Sequence, residues 1–175
     1  MNKNKITPML LAAFTALSAS GYVCEADGTQ SYKAYYKLDA NGDGEVNSID
    51  ASVVLTEYAQ ISTGRTGSLS QTIKYVADYN NDGTLDSVDA SGILSTYAYN
   101  STTHDEPTYD MVTFEMKCTT MNDFYTLFAN SYEECLSMIS EEKKKHPEGC
   151  LCEIIYNEIL YGGTYDGIIR TIYRE

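Results

Sequence analysis

The chain is poor in positive charge, with twelve Lys and Arg against 25 Asp and Glu and a formal charge of −13. Such an acidic surface excludes nucleic acid and anionic lipid as partners, because both present phosphate. Long apolar runs are also missing. The longest, from Met9 to Leu17, is interrupted by Thr15 and falls short of the ~20 residues that span a bilayer, so no membrane span is expected. There is no tryptophan, so an aromatic surface has to be built from the 16 tyrosines. A length of 175 residues leaves room for one or two small domains and too little for the large folds that process polymers. At the N-terminus, Lys3 and Lys5 precede the apolar stretch, and Ser18, Ala19, Ser20 and Gly21 follow it. This is the layout of a secretory signal peptide, expected over residues 1–20, with a linker over 21–36.

What the sequence does contain is a repeat. "DANGDGEVNSIDASVVLTEYA" starts at Asp39 and "DYNNDGTLDSVDASGILSTYA" at Asp78, and the two agree at eleven of 21 positions. Counting each leading Asp as position 1, oxygen-bearing side chains fall at positions 1, 3, 5, 9 and 12. They are Asp39, Asn41, Asp43, Asn47 and Asp50 in the first copy, and Asp78, Asn80, Asp82, Asp86 and Asp89 in the second. That spacing is the ligand pattern of a calcium loop, in which position 7 donates a backbone carbonyl and its side chain is free to vary, here Glu45 and Thr84. Gly44 and Gly83 occupy position 6, where the chain turns sharply around the ion. Two calcium ions are expected, one per loop. Val46 and Leu85 hold the apolar position 8, where paired loops touch. Beyond position 12 the spacing becomes helical, and Val54, Tyr58 and Ile61 with Ile93 and Tyr97 are expected to form one buried face.

Position 12 is Asp rather than Glu, and neither loop is preceded by a long, well-capped helix pattern, so a cytosolic calcium sensor fits poorly. The repeated "DANGDGEVNSID" and "DYNNDGTLDSVD", each followed by "AS" and later "YA", resemble the type I dockerin modules of cellulosomes, over residues 37–100. The resemblance implies a calcium-dependent contact with a cohesin domain on a scaffold protein, read largely at positions 10 and 11. Those positions are Ser48 and Ile49 in one copy, Ser87 and Val88 in the other. On the residues alone, Ser48 and Ser87 also suit helix caps, and Ile49 and Val88 suit either a core or a partner.

After a polar linker at 101–107, residues 108–175 carry their own pattern. Val112, Phe114, Met116 and Cys118 alternate with polar residues as in a half-buried strand. Ser131 with Glu134 forms a capping box that opens a helix ending before Pro147 and Gly149, with Cys135, Met138 and Ile139 on its apolar stripe. "LCEIIYNEILY" and "GIIRTIY" read as two strands joined around Gly162 and Gly163. The expected fold is therefore a mainly α calcium module followed by a small α+β domain of order β-α-β-β.

Cys118, Cys135, Cys150 and Cys152 allow three disulfide pairings, and the sequence does not choose among them. A zinc site rivals them because Cys150 and Cys152 are close, although their one-residue spacing departs from that of common zinc modules. Cys135 and His146 form the one nucleophile and base pair worth naming, and Glu133, Glu134, Glu153 and Glu158 offer carboxylates for glycoside chemistry. Buried-thiol and surface-glutamate roles explain these better, so no catalytic residue is assigned. Tyr156, Tyr161, Tyr165 and Tyr173 suit a sugar-stacking surface or ordinary strand packing. The chain thus reads as a secreted, extracellular cellulosome component without its own catalysis. The alternative is a glycoside-acting or carbohydrate-binding C-terminal domain.

Overall fold

A computed structural model describes residues 22–23, 32–33, 35–103, 109–121, 123–159 and 168–175. The expected signal peptide, most of the 21–36 linker, residues 104–107 of the second linker, the Gly162 and Gly163 turn, Tyr161 and Tyr165 lie outside the described residues. In chain order the elements are β1 (Tyr22–Val23), β2 (Tyr32–Lys33), β3 (Tyr35–Tyr36), α1 (Ser48–Ser62), α2 (Gln71–Ala77) and α3 (Ser87–Thr102). Then follow β4 (Met111–Thr119), β5 (Phe124–Ala129), α4 (Tyr132–Lys145), β6 (Leu151–Ile159) and β7 (Ile168–Arg174). No helix among the described residues is long and apolar enough to cross a membrane.

In the repeated half, α1 and α3 pack against each other through Ala51, Val54, Ala90 and Ile93, joined by Val46 and Leu85 of the loops and by Leu38, Ala40 and Ala77. Burying Val54 and Ile93 contributes roughly 1.5–3 kcal/mol each. Tyr58, Ile61 and Tyr97, expected in this face, are instead exposed by 41–46%. Spacing of three and four residues defines a helix face, but the partner helix covers only its first two turns.

The copies differ where they touch their surroundings. In the second, Tyr79 at position 2 lies over Gly92, where an added Cβ would come within 2.2 Å of its ring. The equivalent residues of the first copy are Ala40 and Val53. One copy is large then small, the other small then larger.

The chain between the copies is pinned, not free. Buried Glu57 of α1 accepts hydrogen bonds from the backbone N–H groups of Ser68 (2.6 Å) and Leu69 (3.1 Å) and pairs with Lys74 at 3.1 Å. Gly67 passes so close that a Cβ there would sit 1.9 Å from the Glu57 carboxylate. Ser70 caps α2, a helix of only seven residues leading into the second loop.

The C-terminal half is a twisted antiparallel sheet with α4 on one face. β4 is central, paired with β6 along its whole length, while β7 extends the sheet beyond β6. Buried Val112, Phe114, Met116 and Cys118 on β4 face the same core as Cys152, Ile154 and Tyr156 on β6 and Cys135 and Ile139 on α4. Ser131 caps α4 by accepting from the Glu134 N–H, while the Glu134 carboxylate reaches back to the N–H of Asn130, one residue before the cap. The order is β-β-α-β-β, correcting the expected β-α-β-β. The missed strand, β5, pairs with β4. It lacks alternation: Ala129 is its only buried residue, and Phe124 and Leu127 are exposed. A second correction lies upstream, where Tyr35 and Tyr36, expected in a linker, form β3 and pair with Val112 and Met111 at the start of β4.

The two halves meet along α2. Val76 is buried in the sheet core, and the Tyr75 ring packs on Phe114, Tyr132 and Tyr156. Thr72 donates its hydroxyl to Glu133 and accepts from the Tyr132 N–H at 2.9 Å. At the centre lies Lys37, 7% exposed. Its Nζ donates to the Asp78 carbonyl (2.6 Å), Asn81 Oδ1 (2.9 Å) and the Tyr156 hydroxyl (3.0 Å), and stands 3.7 Å from the Glu158 carboxylate.

Removing one partner of a buried, bonded ion pair costs about 3–5 kcal/mol. Lys37→Ala is therefore expected to lower the unfolding free energy by that amount in urea, and to separate the loss of helix signal from the loss of tyrosine packing in the sheet. A single unchanged transition would refute the assignment.

Candidate functional site

Each repeated loop is folded by its own carboxylates. In the first, Asp39 accepts from the N–H groups of Gly42 (2.7 Å), Asp43 (3.2 Å) and Gly44 (2.9 Å), and Asp50 accepts from Ala40 (2.9 Å), Asn41 (3.1 Å) and Asn47 (2.8 Å). The second repeats this more sparsely. Asp78 accepts from Asp82 and Gly83, and Asp89 from Tyr79 and Asp86. Gly44 and Gly83 have φ of 90° and 84°, the left-handed turn expected of position 6.

The remaining predicted ligand positions form the rim of each loop. Asn41 donates to Asp43 at 2.8 Å while the backbone N–H of Glu45 donates to Asp43. Asn80, Asp82 and Thr84 make the same contacts in the second copy. Asn47 and Asp86, at position 9, are the N-caps of α1 and α3. They accept from Ile49 and Val88, and Asp50 and Asp89 close the capping box by accepting from the cap residues' own N–H. The caps are thus Asn47 and Asp86, not Ser48 and Ser87. The Asp at position 12 has a structural use, since it closes that box over the helix start.

Four carboxylates, those of Asp39, Asp50, Asp78 and Asp89, are buried, and none forms an ion pair among the described residues. Burial raises Asp39, Asp50 and Asp89 above the ordinary carboxylate pKa. Neighbouring carboxylates add to this: Asp50 and Asp43 for Asp39, Asp43 for Asp50, and Asp78 for Asp89. The loops concentrate negative charge and oxygen donors with no salt-bridge partner among the described residues, a donor set that fits a hard divalent cation such as calcium. Asp39, Asn41, Asp43, Asn47 and Asp50, with the Glu45 carbonyl, would hold it in one loop. Asp78, Asn80, Asp82, Asp86 and Asp89, with the Thr84 carbonyl, would do so in the other.

Ser48, Ile49, Ser87 and Val88 are all exposed, Ile49 by 56% and Val88 by 50%, so core packing does not account for them. The sequence reading missed their extension along the helices. Leu55 and Tyr58 of α1 are exposed, and so are Leu94 and Tyr97 of α3. Ile49, Leu55 and Tyr58 each have their counterpart 39 residues on, at Val88, Leu94 and Tyr97. The register of the repeat carried this signal, had exposure been separable from helical spacing.

The catalytic and sugar-stacking candidates are not brought together. Glu158 faces Lys37, Glu133 faces Thr72, Glu134 the Asn130 backbone, and Glu153 stands near Lys117 and Arg174. Each glutamate is occupied structurally. Cys135 is buried under α4, and the His146 ring contacts Glu142, Glu148 and Tyr125 instead. Tyr156 is fully buried and Tyr173 packs on the core, which removes two residues from the sugar-stacking surface. All four described cysteines are free thiols.

Carboxylates raised in the folded state bind protons there more readily than in the unfolded chain, so their contribution is fully present below pH 3.8 and is lost as the pH climbs through their native values. Calcium requires the deprotonated form and relieves that repulsion. The stability difference between calcium-saturated and EDTA-treated chain should therefore grow from pH 3.8 upward and then level off. A difference independent of pH would show that these carboxylates do not take up the ion.

No curated protein matches the chain. A family model described as the dockerin type I domain matches residues 37–95, from the buried Lys37 into α3. Type I dockerin domains bind calcium and imply a cohesin partner. Residues 37–95, which hold both loops and the α1–α3 pair, are a type I dockerin domain.

Proposed function

We propose that this chain is a secreted cellulosome component. In this reading its dockerin domain holds two calcium ions through the two loops and docks on a scaffold cohesin through Ser48, Ile49, Ser87 and Val88. The C-terminal sheet is a packed, non-catalytic partner of that domain, and the assembly serves plant polysaccharide degradation. The observation that carries the reading is the duplicated exposed apolar set. Ile49, Leu55 and Tyr58 on α1 and Val88, Leu94 and Tyr97 on α3 remain uncovered although both helices have a buried face. Large apolar side chains left exposed beside polar loops, and repeated in both copies, suit contact with a protein partner.

Because the two sets are nearly equivalent, either repeat can lead and the cohesin can engage in two orientations related by a half-turn. Replacing Ser48 and Ile49 together with Asp is expected to change cohesin affinity by less than about fivefold, and likewise for Ser87 and Val88. Replacing all four should weaken it more than about 100-fold, as loss of apolar anchors does. Binding should disappear in EDTA. Loss of binding from the first pair alone would overturn two-way docking.

The two loops differ in charge. The first offers three side-chain carboxylates, Asp39, Asp43 and Asp50, and the second four, Asp78, Asp82, Asp86 and Asp89. Ligand charge raises calcium affinity, so in a calorimetric titration the second loop fills first, and Asp86→Asn should bring the two affinities together. Equal affinities in the unaltered chain would show that loop rigidity outweighs charge.

A further inference from the structure

Far from the calcium loops, at the other end of β4, the fold assembles a cluster of ligating groups that dockerin function does not use. Cys118 on β4 and Cys152 on β6 are directly opposed. Cys152 exchanges both backbone hydrogen bonds with Glu175, at 2.9 Å each, so its N–H and C=O point away from β4. The opposed cysteines are therefore a non-hydrogen-bonded pair, the closer of the two antiparallel arrangements. The Cys150 sulfur lies 3.6 Å from that of Cys152, and all three sulfurs lie within 4.8 Å of one another.

The helix brings a fourth group. His146, the C-cap of α4, places a ring nitrogen within 4.8 Å of the Cys118 sulfur, as Glu142 places a carboxylate oxygen. Glu142 is already engaged by Lys145 at 2.7 Å and by the Tyr125 hydroxyl. The imidazole is held more loosely: Nδ1 stands 3.0 Å from Glu148, while Nε2 faces the Tyr125 hydroxyl at 3.5 Å and the Glu142 carboxylate at 3.7 Å.

We propose that Cys118, Cys150 and Cys152 form a binding site for a thiophilic divalent cation of zinc type, with His146, whose ring nitrogen reaches the Cys118 sulfur, drawn in as the fourth ligand. Metal–sulfur bonds of ~2.3 Å at tetrahedral angles place sulfurs about 3.8 Å apart, close to the Cys150–Cys152 separation of 3.6 Å. A carboxylate on the far nitrogen of a histidine is the outer partner that orients such a ligand, and Glu148 stands there. A disulfide would use two of the thiols and leave the third without a role. Cys150 is half-buried and gives the ion a way in, whereas Cys118 and Cys152 are closed off. As each sulfur bonds the metal its thiol proton passes to solvent, so three thiolates and a neutral imidazole around a doubly charged ion leave the site at −1. Bound metal would tie β4, β6 and the end of α4 together at the end of these strands away from Lys37.

The test uses the full chain, reduced and calcium-loaded, titrated with Co2+ without oxygen. Calcium loops offer only oxygen ligands, so a thiolate-to-cobalt charge-transfer band reports this site alone. Expected are one equivalent of Co2+ with that band, its displacement by Zn2+, loss of the band in Cys150→Ser with unchanged far-ultraviolet circular dichroism, and at least about tenfold weaker binding in Glu148→Gln. Three outcomes would overturn the site: no band in a chain whose thiols all react as free, a band that persists in folded Cys118→Ser, or a purified chain lighter by two hydrogens whose cysteines have paired.

Discussion

The structure depends on one buried ammonium group. Lys37 is enclosed where the dockerin domain meets the sheet, and a charge without water must find its partners in the chain. Burial lowers its pKa, and the Glu158 carboxylate and Asp78 work against that shift. Its bonds reach the carbonyl of Asp78, a calcium-loop residue, and Tyr156 and Glu158 of β6 at once. Arg170 of β7 adds a second cation, donating to both the carbonyl and the side chain of Asn81, whose left-handed φ of 59° turns them outward together. The second loop is therefore gripped from outside by the sheet as well as shaped from inside by its carboxylates.

That grip sets the layout of the whole chain. β3 enters the sheet immediately before Lys37, the first loop follows, and α2 carries Tyr75 and Val76 into the sheet core before the second loop begins. The dockerin helices keep one face for each other and leave the opposite face free, because the sheet occupies the loop side. The exposed apolar side chains of α1 and α3 and the domain seam coexist on a small module. Within each repeat the economy is similar, with Asn47 and Asp86 standing in the ligand pattern and capping a helix.

Legibility varied with the range of the interaction. The loops could be read at once, because the repeated oxygen spacing and the turn at glycine lie within twelve residues, whereas the caps proved to be Asn47 and Asp86 rather than the serines beside them. Core strand β4 was legible from strict alternation, β6 from its apolar, strand-forming residues, and α4 from its cap and stop. β5 was not, because an edge strand with little burial need not alternate. Tyr58 and Tyr97 were assigned to the core because periodicity says which residues share a face and not what lies opposite. For the same reason the sequence left Tyr156 open between a sugar-stacking surface and strand packing, and it is buried.

The sequence by itself determined the two loops, the twofold repeat and the helix starts, since each is fixed by side chains acting on their own nearby backbone. Only the tertiary structure decided that Lys37 and Arg170 would clasp the second loop, that Ile49 and Val88 would stay exposed, and that Cys118 would join Cys150 and Cys152. These arrangements depend on which distant strands and helices pack together. That choice is made by the burial of apolar surface over the whole chain, which has no local spacing to read.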